Sequence, residues 1–291
     1  MRIGVVFPQT EIGPDPTVIR EYAQAAEDLG YSHILVYDHV VGVDVSQYPG
    51  WTGPYTSKSQ FHEPFVLFGY LAAITRRLEL VTGVIILPQR QTVLVAKQAA
   101  EVDVLSGGRL RLGVGVGWNQ AEYIALNENF HNRGKREEEQ IEVMRLLWTQ
   151  ETVTFEGRWH RLPAVGINPL PVQRPIPVWL GGMSEAAQRR AARIADGWMP
   201  QFRPDARLRE MVERLRGWVQ EAGRDPSGFG IEGRLTLAQV PRDEWLRDVD
   251  AWRELGASHL CINTMGLGLP HPRAHIDMIR QIAQEFGLRP S

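Results

Sequence analysis

Short apolar runs and helix-period segments take turns along this chain, and that alternation limits its fold more than any other feature. Residues 2–7 read as a buried strand, RIGVVF. Asp15-Pro16 then opens a helix, with the acid as cap and Pro in the first turn, and Gly30 closes it. Further strands are expected at 34–37, 78–87, 109–115, 178–180, 197–199, 230–237 and 258–262. Helices are expected at 63–76, 92–105, 120–126, 135–148, 184–195, 205–222, 242–255 and 273–286. Eight strands, each followed by helix, is the count of a (β/α)8 (TIM) barrel, here a single domain over residues 1–291. An open doubly wound sheet is the alternative, but no GxGxxG joins the first strand to the first helix. The rhythm breaks once. Residues 152–162 alternate in period two around Glu156-Gly157, which predicts a β-hairpin, and a loop with Pro163, Pro169, Pro171, Pro175 and Pro177 follows. This is an insertion before the fifth strand, not a domain boundary.

Composition removes several classes of function. A net charge of −2 gives no electrostatic case for nucleic acid or an anionic membrane. A single cysteine, Cys261, forbids an internal disulfide framework and a cysteine zinc site. No window has the length of a bilayer span, and the first residues lack a signal-peptide pattern. The expectation is a cytoplasmic protein that acts on a small molecule.

In a barrel of this kind, ligands meet the chain at the C-terminal ends of the strands. Those ends are Pro8-Gln9, Asp38-His39, Thr82-Gly83-Val84, the run Gly115-Val116-Gly117-Trp118, the run Gly181-Gly182-Met183-Ser184, residues 198–203, and Asn263-Thr264. The fourth strand, LRLGVGVGW, ends in alternating glycines and a tryptophan. Glycine backbone lets a flat or phosphorylated ligand approach closely, and Trp118 offers an aromatic face; a plain connecting turn has the same sequence. His39 is the residue suited to proton transfer near neutral pH, with Asp38 beside it to orient it or receive a ligand N–H. Gly181, Gly182, Met183 and Ser184 lead into a helix start, where free N–H groups favour phosphate; an ordinary Ser184 cap remains the alternative. His271 and His275 flank Pro272 and lack a third ligand, so no metal site is expected. No GxSxG is present. Glu137-Glu138-Glu139 reads as a solvated helix face and Cys261 as strand packing.

Together the segments AEDLGYSHILVYDHV, RLELVTGVIILPQRQTVLVAKQAAEVDVLSGGRLRLGVGVGW, PVQRPIPVWLGG and AARIADGWMP resemble the luciferase-like flavin and deazaflavin oxidoreductases, nearest their F420-dependent subgroup. The resemblance covers most of residues 1–200. It implies a (β/α)8 barrel with an insertion before strand five and a flavin-like ring across the strand ends. It implies a non-proline cis peptide at Gly83-Val84, backing that ring together with Asp38 and Thr82. It implies a catalytic His39, a cofactor-lining segment at Gly115, Val116, Gly117 and Trp118, and a phosphate site at Gly181, Gly182, Met183 and Ser184. Relatives that oxidise sugar phosphates or secondary alcohols carry a tryptophan shortly after the histidine. Here the chain runs Val40-Val41-Gly42-Val43, which argues against a sugar-phosphate substrate. The loop 44–62, with Tyr48, Trp51 and Tyr55, is placed to cover the pocket. The expected activity is hydride transfer between coenzyme F420 and a small organic substrate. The alternatives are an FMN-dependent monooxygenase and a flavin-binding protein without turnover. A homodimer is expected because relatives commonly form one.

Overall fold

The computed structural model describes residues 1–289. Eight parallel strands close into a barrel: β1 (Arg2–Val6), β2 (His33–Val36), β3 (Glu79–Thr82), β4 (Leu110–Gly115), β5 (Val178–Gly181), β6 (Gly197–Met199), β7 (Gly230–Thr236) and β8 (His259–Asn263). Val5 pairs with Ile34 on one side and Ile262 on the other, and Leu80 with Leu110, so the ring has no free edge. A two-residue strand, Ile85–Ile86, continues β3 beyond a cis Gly83-Val84 peptide and pairs with Val114 and Gly115.

Nine helices carry the chain between strands: α1 (Pro16–Asp28), α2 (Pro64–Ile74), α3 (Thr92–Ser106), α4 (Gln120–Ala125), α5 (Arg133–Thr149), α6 (Glu185–Ile194), α7 (Ala206–Glu221), α8 (Trp245–Glu254) and α9 (Ala274–Glu285) among the described residues. Their ends follow local chemistry. Asp15 accepts the Thr17 N–H at 2.8 Å and Asp205 the Leu208 N–H at 2.9 Å, while Gly107 ends α3 in the left-handed region. The main core lies between the strands and this helical layer, with Trp148 and Trp252 fully buried.

The barrel interior is a separate, smaller cluster of Val6, Leu35, Val81, Trp179, Met199 and Cys261, with Tyr37, Val84 and Met265 packed on its upper side. Its lower end is sealed by charge. Arg111 bonds Glu79 at 3.2 Å and also Glu232, and Glu232 bonds His33 at 2.9 Å. Arg111 lies 4.4 Å from the Trp179 ring centre. His33, Glu232 and Cys261 are the one grouping of metal-type donors among the described residues, but their charge is already matched by Arg111. Burial, then the neighbouring Glu232, pushes the Cys261 thiol well up, so it stays protonated.

The insertion is the expected hairpin, with antiparallel strands Val153–Glu156 and Arg161–Val165. Pro163 belongs to its second strand rather than to the following loop, where Asn168-Pro169 and Arg174-Pro175 are cis. The acidic run differs from expectation: it is a clasp, not a solvated face. Glu139 accepts the N–H groups of Arg158, Trp159 and His160, each at 2.8 Å, and meets the His160 ring at 2.8 Å. Glu138 pairs with Arg190 and Arg193 on α6. Glu137 is buried, with Arg190 at 3.3 Å. The three acids thus tie the hairpin and α6 to α5. No helix among the described residues is long and apolar enough to cross a membrane.

Candidate active site

The upper ends of the strands bring Gln9, Tyr37, Val84, Gly181, Met199, Arg234 and Met265 around one opening. Tyr37, Val84, Gly181, Arg234 and Met265 are all partly exposed although they belong to the barrel lining. Because the lower end is sealed, that exposure opens upward.

The glycines of β4 have a specific partner. A Cβ on Gly113 would lie 2.0 Å from the Thr82 carbonyl oxygen, one on Gly115 2.7 Å from Val84, and one on Gly117 2.7 Å from Ile86. Residues 82, 84 and 86 of the third strand therefore fit against the bare positions 113, 115 and 117 of the fourth. Gly181 on β5 continues the pattern, its Cβ position lying 2.9 Å from Val84. The glycines make room for the chain itself; closeness to a ligand need not explain them. Only Gly117 also needs its glycine for a positive φ, 63°. Contrary to expectation, Thr82 is fully buried, with its hydroxyl donated to the Gly113 carbonyl at 2.7 Å, so it braces the fourth strand and is not presented to a ligand.

Asp38 faces away from His39. Its carboxylate accepts the Ile86 N–H at 3.0 Å and Arg90 at 2.7 and 3.3 Å, and Arg90 also reaches Glu63 at 2.9 Å. Desolvation would lower the Arg90 pKa, but Asp38 and Glu63 outweigh it and hold it raised. Asp38 thereby ties the end of β2 to the kinked third strand.

The partner of His39 is Glu122, a residue that sequence reasoning passed over. Its Oε2 lies 3.3 Å from His39 Nδ1, and its Oε1 accepts the N–H groups of Val40 at 2.6 Å and Val41 at 3.3 Å. Gln89 adds a fourth donor at 3.4 Å. Burial raises the Glu122 pKa, but the His39 bond and the two amides win, so the carboxyl is held below its ordinary value. An ionised carboxylate only accepts hydrogen bonds, so a neutral His39 bonded to it carries its proton on Nδ1. Nε2 is then a free lone pair, and it makes no polar contact among the described residues.

Aromatic rings surround that edge. Phe61 and Tyr55 lie 4.8 and 4.9 Å from the His39 ring centre, and Trp118 lies 5.8 Å away. Trp51 packs 5.7 Å from Trp118. Loop 44–62 thus folds over the rim, as its composition led us to expect, and Phe61 belongs to the same cluster. Val116 is fixed by the Tyr123 hydroxyl, which donates to its carbonyl at 2.7 Å.

At the other side of the mouth, Ser184 caps α6, accepting the Ala187 N–H at 3.2 Å. The Trp198 indole donates to the Gly182 carbonyl at 2.8 Å and Gln188 to the Met183 carbonyl at 3.0 Å, which sets the loop 181–184 at the strand ends. His275 is occupied elsewhere, with Thr264 at 2.8 Å and Glu11 at 3.2 Å. A groove of about 980 Å3 runs between the hairpin and α5, lined by Leu146, Phe155, Trp159 and Ile194. It lies on the outer wall, away from the strand ends.

A closed barrel with an open upper mouth and a carboxylate–histidine pair at its rim defines the class: proteins of (β/α)8 architecture. The family model described as Luciferase-like monooxygenase matches residues 1–275, and the chain belongs to that family, whose members are oxidoreductases and monooxygenases. An uncharacterized protein of Mycobacterium tuberculosis is 37% identical over 241 residues, covering 78% of this chain and 83% of the relative. An FMNH(2)-dependent dimethylsulfone monooxygenase of Pseudomonas putida is 30% identical over 201 residues, 68% of this chain and 52% of that protein. Among solved structures, an F420-dependent secondary alcohol dehydrogenase in complex with an F420-acetone adduct superposes with a TM-score of 0.78 at 18% identity, covering 97% of each chain. The coenzyme F420 dependent tetrahydromethanopterin reductase of Methanopyrus kandleri gives 0.75 at 16% identity, covering 96% of this chain and 97% of that one. These likenesses establish the fold.

Proposed function

We propose that this protein is an oxidoreductase that moves a hydride between coenzyme F420 and a small organic substrate at the upper mouth of the barrel. The observation that carries the reading is the Glu122–His39 pair, which presents an unpaired imidazole nitrogen inside an aromatic rim.

The lining fits a planar heterocycle. Val84, Met199, Tyr37 and Met265 give an apolar floor, and the buried Oε1 of Gln9 has no partner, so a ring N–H would satisfy it. Gly83-Val84 would back the ring, Asp38 would hold that segment through Ile86, and Gly115, Val116, Gly117 and Trp118 would line one side. Loop 181–184 and the start of α6 would take a phosphate. Bound there, the deazaflavin supplies a carbon that accepts or donates hydride.

His39 handles the accompanying proton. When a substrate hydroxyl is oxidised, its C–H leaves as hydride and its O–H proton passes to Nε2; in reduction Nε2–H returns the proton to the carbonyl oxygen. Glu122 fixes the ring's orientation and tautomer through its bond to Nδ1. Trp118, Tyr55 and Phe61 exclude water around the transfer.

A second reading is an FMN-dependent monooxygenase, favoured by the 30% identity to the dimethylsulfone enzyme. Titration of apo-protein with F420 and with FMN, followed by Trp fluorescence, separates them. Tight binding of F420 and not FMN is expected. Selective FMN binding, with oxygen uptake in its reduced state, would replace the first reading by the second.

A further inference from the structure

Among the described residues, Arg234 is the one guanidinium of the barrel lining left without an anion. It sits on β7, two residues above Glu232 on the same inward face, beside Cys261 in the parallel register. Arg111, in the layer below, has both Glu79 and Glu232. Arg234 makes no ion pair among the described residues. Its Nε is shielded from solvent and has no hydrogen-bond partner, and its guanidinium carbon lies 4.9 Å from the Tyr37 ring centre.

No group around it supplies the missing charge. The Glu232 carboxylate is spent on Arg111 and His33. Burial keeps Cys261 protonated. Burial pushes Tyr37 up to about 12 against the opposing pull of Arg234, and Tyr55 on the covering loop is raised for the same reason. Both are neutral phenols at physiological pH. A guanidinium that lacks a counter-ion and has its Nε shielded without a hydrogen-bond partner is costly, and folds tolerate one where a ligand completes the pair. The partly exposed side of Arg234 faces the upper mouth, since the other end is sealed.

We propose that Arg234 is the anion-recognition residue of this mouth and that the substrate carries a carboxylate which pairs with it. The assignment rests on the mouth being the substrate site, as argued above. A planar guanidinium receives a carboxylate through two parallel N–H···O bonds, and the Tyr37 ring lies beside it, so an aryl or short acyl carboxylate suits the space. The carboxylate would anchor one end of the substrate, leaving its reacting carbon to be positioned near His39.

Benzoate and benzamide are isosteric probes that differ in charge. Calorimetric titration of the apo-protein should show saturable benzoate binding at least about tenfold tighter than benzamide. Arg234→Gln should weaken benzoate by on the order of tenfold or more and leave benzamide unchanged. Arg234→Lys should retain part of the preference, and it guards against a Gln variant that fails to fold. Equal binding of the two probes, no binding of benzoate, or benzoate binding unchanged in a folded Arg234→Gln protein would each overturn the proposal. Competition between benzoate and F420 or FMN would assign Arg234 to the cofactor and overturn the substrate assignment. Cofactor binding is scored separately: F420 or FMN bound without benzoate selectivity sinks this inference alone, and failure of both cofactors sinks the wider reading.

Discussion

Replacing Glu122 by Gln isolates what the carboxylate does for His39. In the native site Oε1 takes two backbone amides and Oε2 faces Nδ1 and Gln89. The Gln carbonyl would keep the shorter bond, 2.6 Å from Val40, because no other acceptor is available there. Its NH2 would then point at Nδ1, donor against donor, unless the imidazole moves its proton to Nε2. A charge-assisted bond is worth about 1.5–3 kcal/mol, which corresponds to roughly a 10- to 150-fold preference for the Nδ1–H tautomer in the native protein. The variant should reverse that preference. Long-range 1H–15N correlation at the His39 ring reads the tautomer directly and needs no cofactor. Nε2 would change from acceptor to donor, and turnover that requires it as a base should fall by about 100-fold or more. An unchanged Nδ1–H signal in a folded Glu122→Gln protein would refute the assignment of Glu122 as the residue that sets this ring.

Three further outcomes follow from other parts of the structure. Gly115→Ala should destabilise by about 1–3 kcal/mol in denaturant melts, because its Cβ would sit 2.7 Å from Val84; combined with Val84→Ala the loss should be less than additive. Burial pushes the Glu137 carboxyl up to about 8 although Arg190 is near, so the unfolded chain ionises first and stability falls as pH rises from about 4.3 towards 8; Glu137→Gln should therefore raise the melting temperature at pH 8 by several degrees and give no gain at pH 4. Burial, then Arg111 and His33, pulls His259 down to about 3, so the unfolded chain takes up a proton below pH 6.5 that the folded one refuses; His259→Gln should flatten the acid limb of the stability curve between about pH 6.5 and 3.

The barrel was legible because its signals are local. Apolar runs, Asp15-Pro16, Ser184 and the glycine at 107 each fix an element from neighbours in the chain, and apart from strand three the observed bounds differ from expectation by at most three residues. Strand three reads from its sequence as one unbroken run, and only the family resemblance marks the break at Gly83-Val84. The site was half legible. Position at strand ends located His39, but Glu122 lies 83 residues away and looks, four residues after Trp118, like the third turn residue of an Asn-capped helix. Nothing in the local pattern distinguishes a carboxylate that bridges two loops from one that faces water. Glu137-Glu138-Glu139 failed for the same reason: the run is polar, but its partners are a hairpin and a helix met only in three dimensions.

The two ends of the barrel use the same residue types to opposite effect. Below, Arg111, Glu79, Glu232 and His33 match donor to acceptor and charge to charge, and Arg111, Glu232 and His33 are buried. A network so satisfied gains little from a ligand, which would have to displace Arg111 from two carboxylates at a cost of several kcal/mol. Above, Gln9 Oε1, His39 Nε2 and Arg234 each lack a partner, one an acceptor, one a titratable nitrogen and one a cation. Leaving three polar groups unsatisfied costs on the order of 1–3 kcal/mol apiece where they are shielded from water. The fold closes one mouth with its own chemistry and leaves complementary chemistry open at the other. A planar ring with an N–H, a substrate with an exchangeable proton and a carboxylate would together supply the three missing partners. The free energy withheld from folding at the upper mouth is then available for binding, which is why the carboxylate test at Arg234 and the tautomer test at His39 address the same opening from two sides.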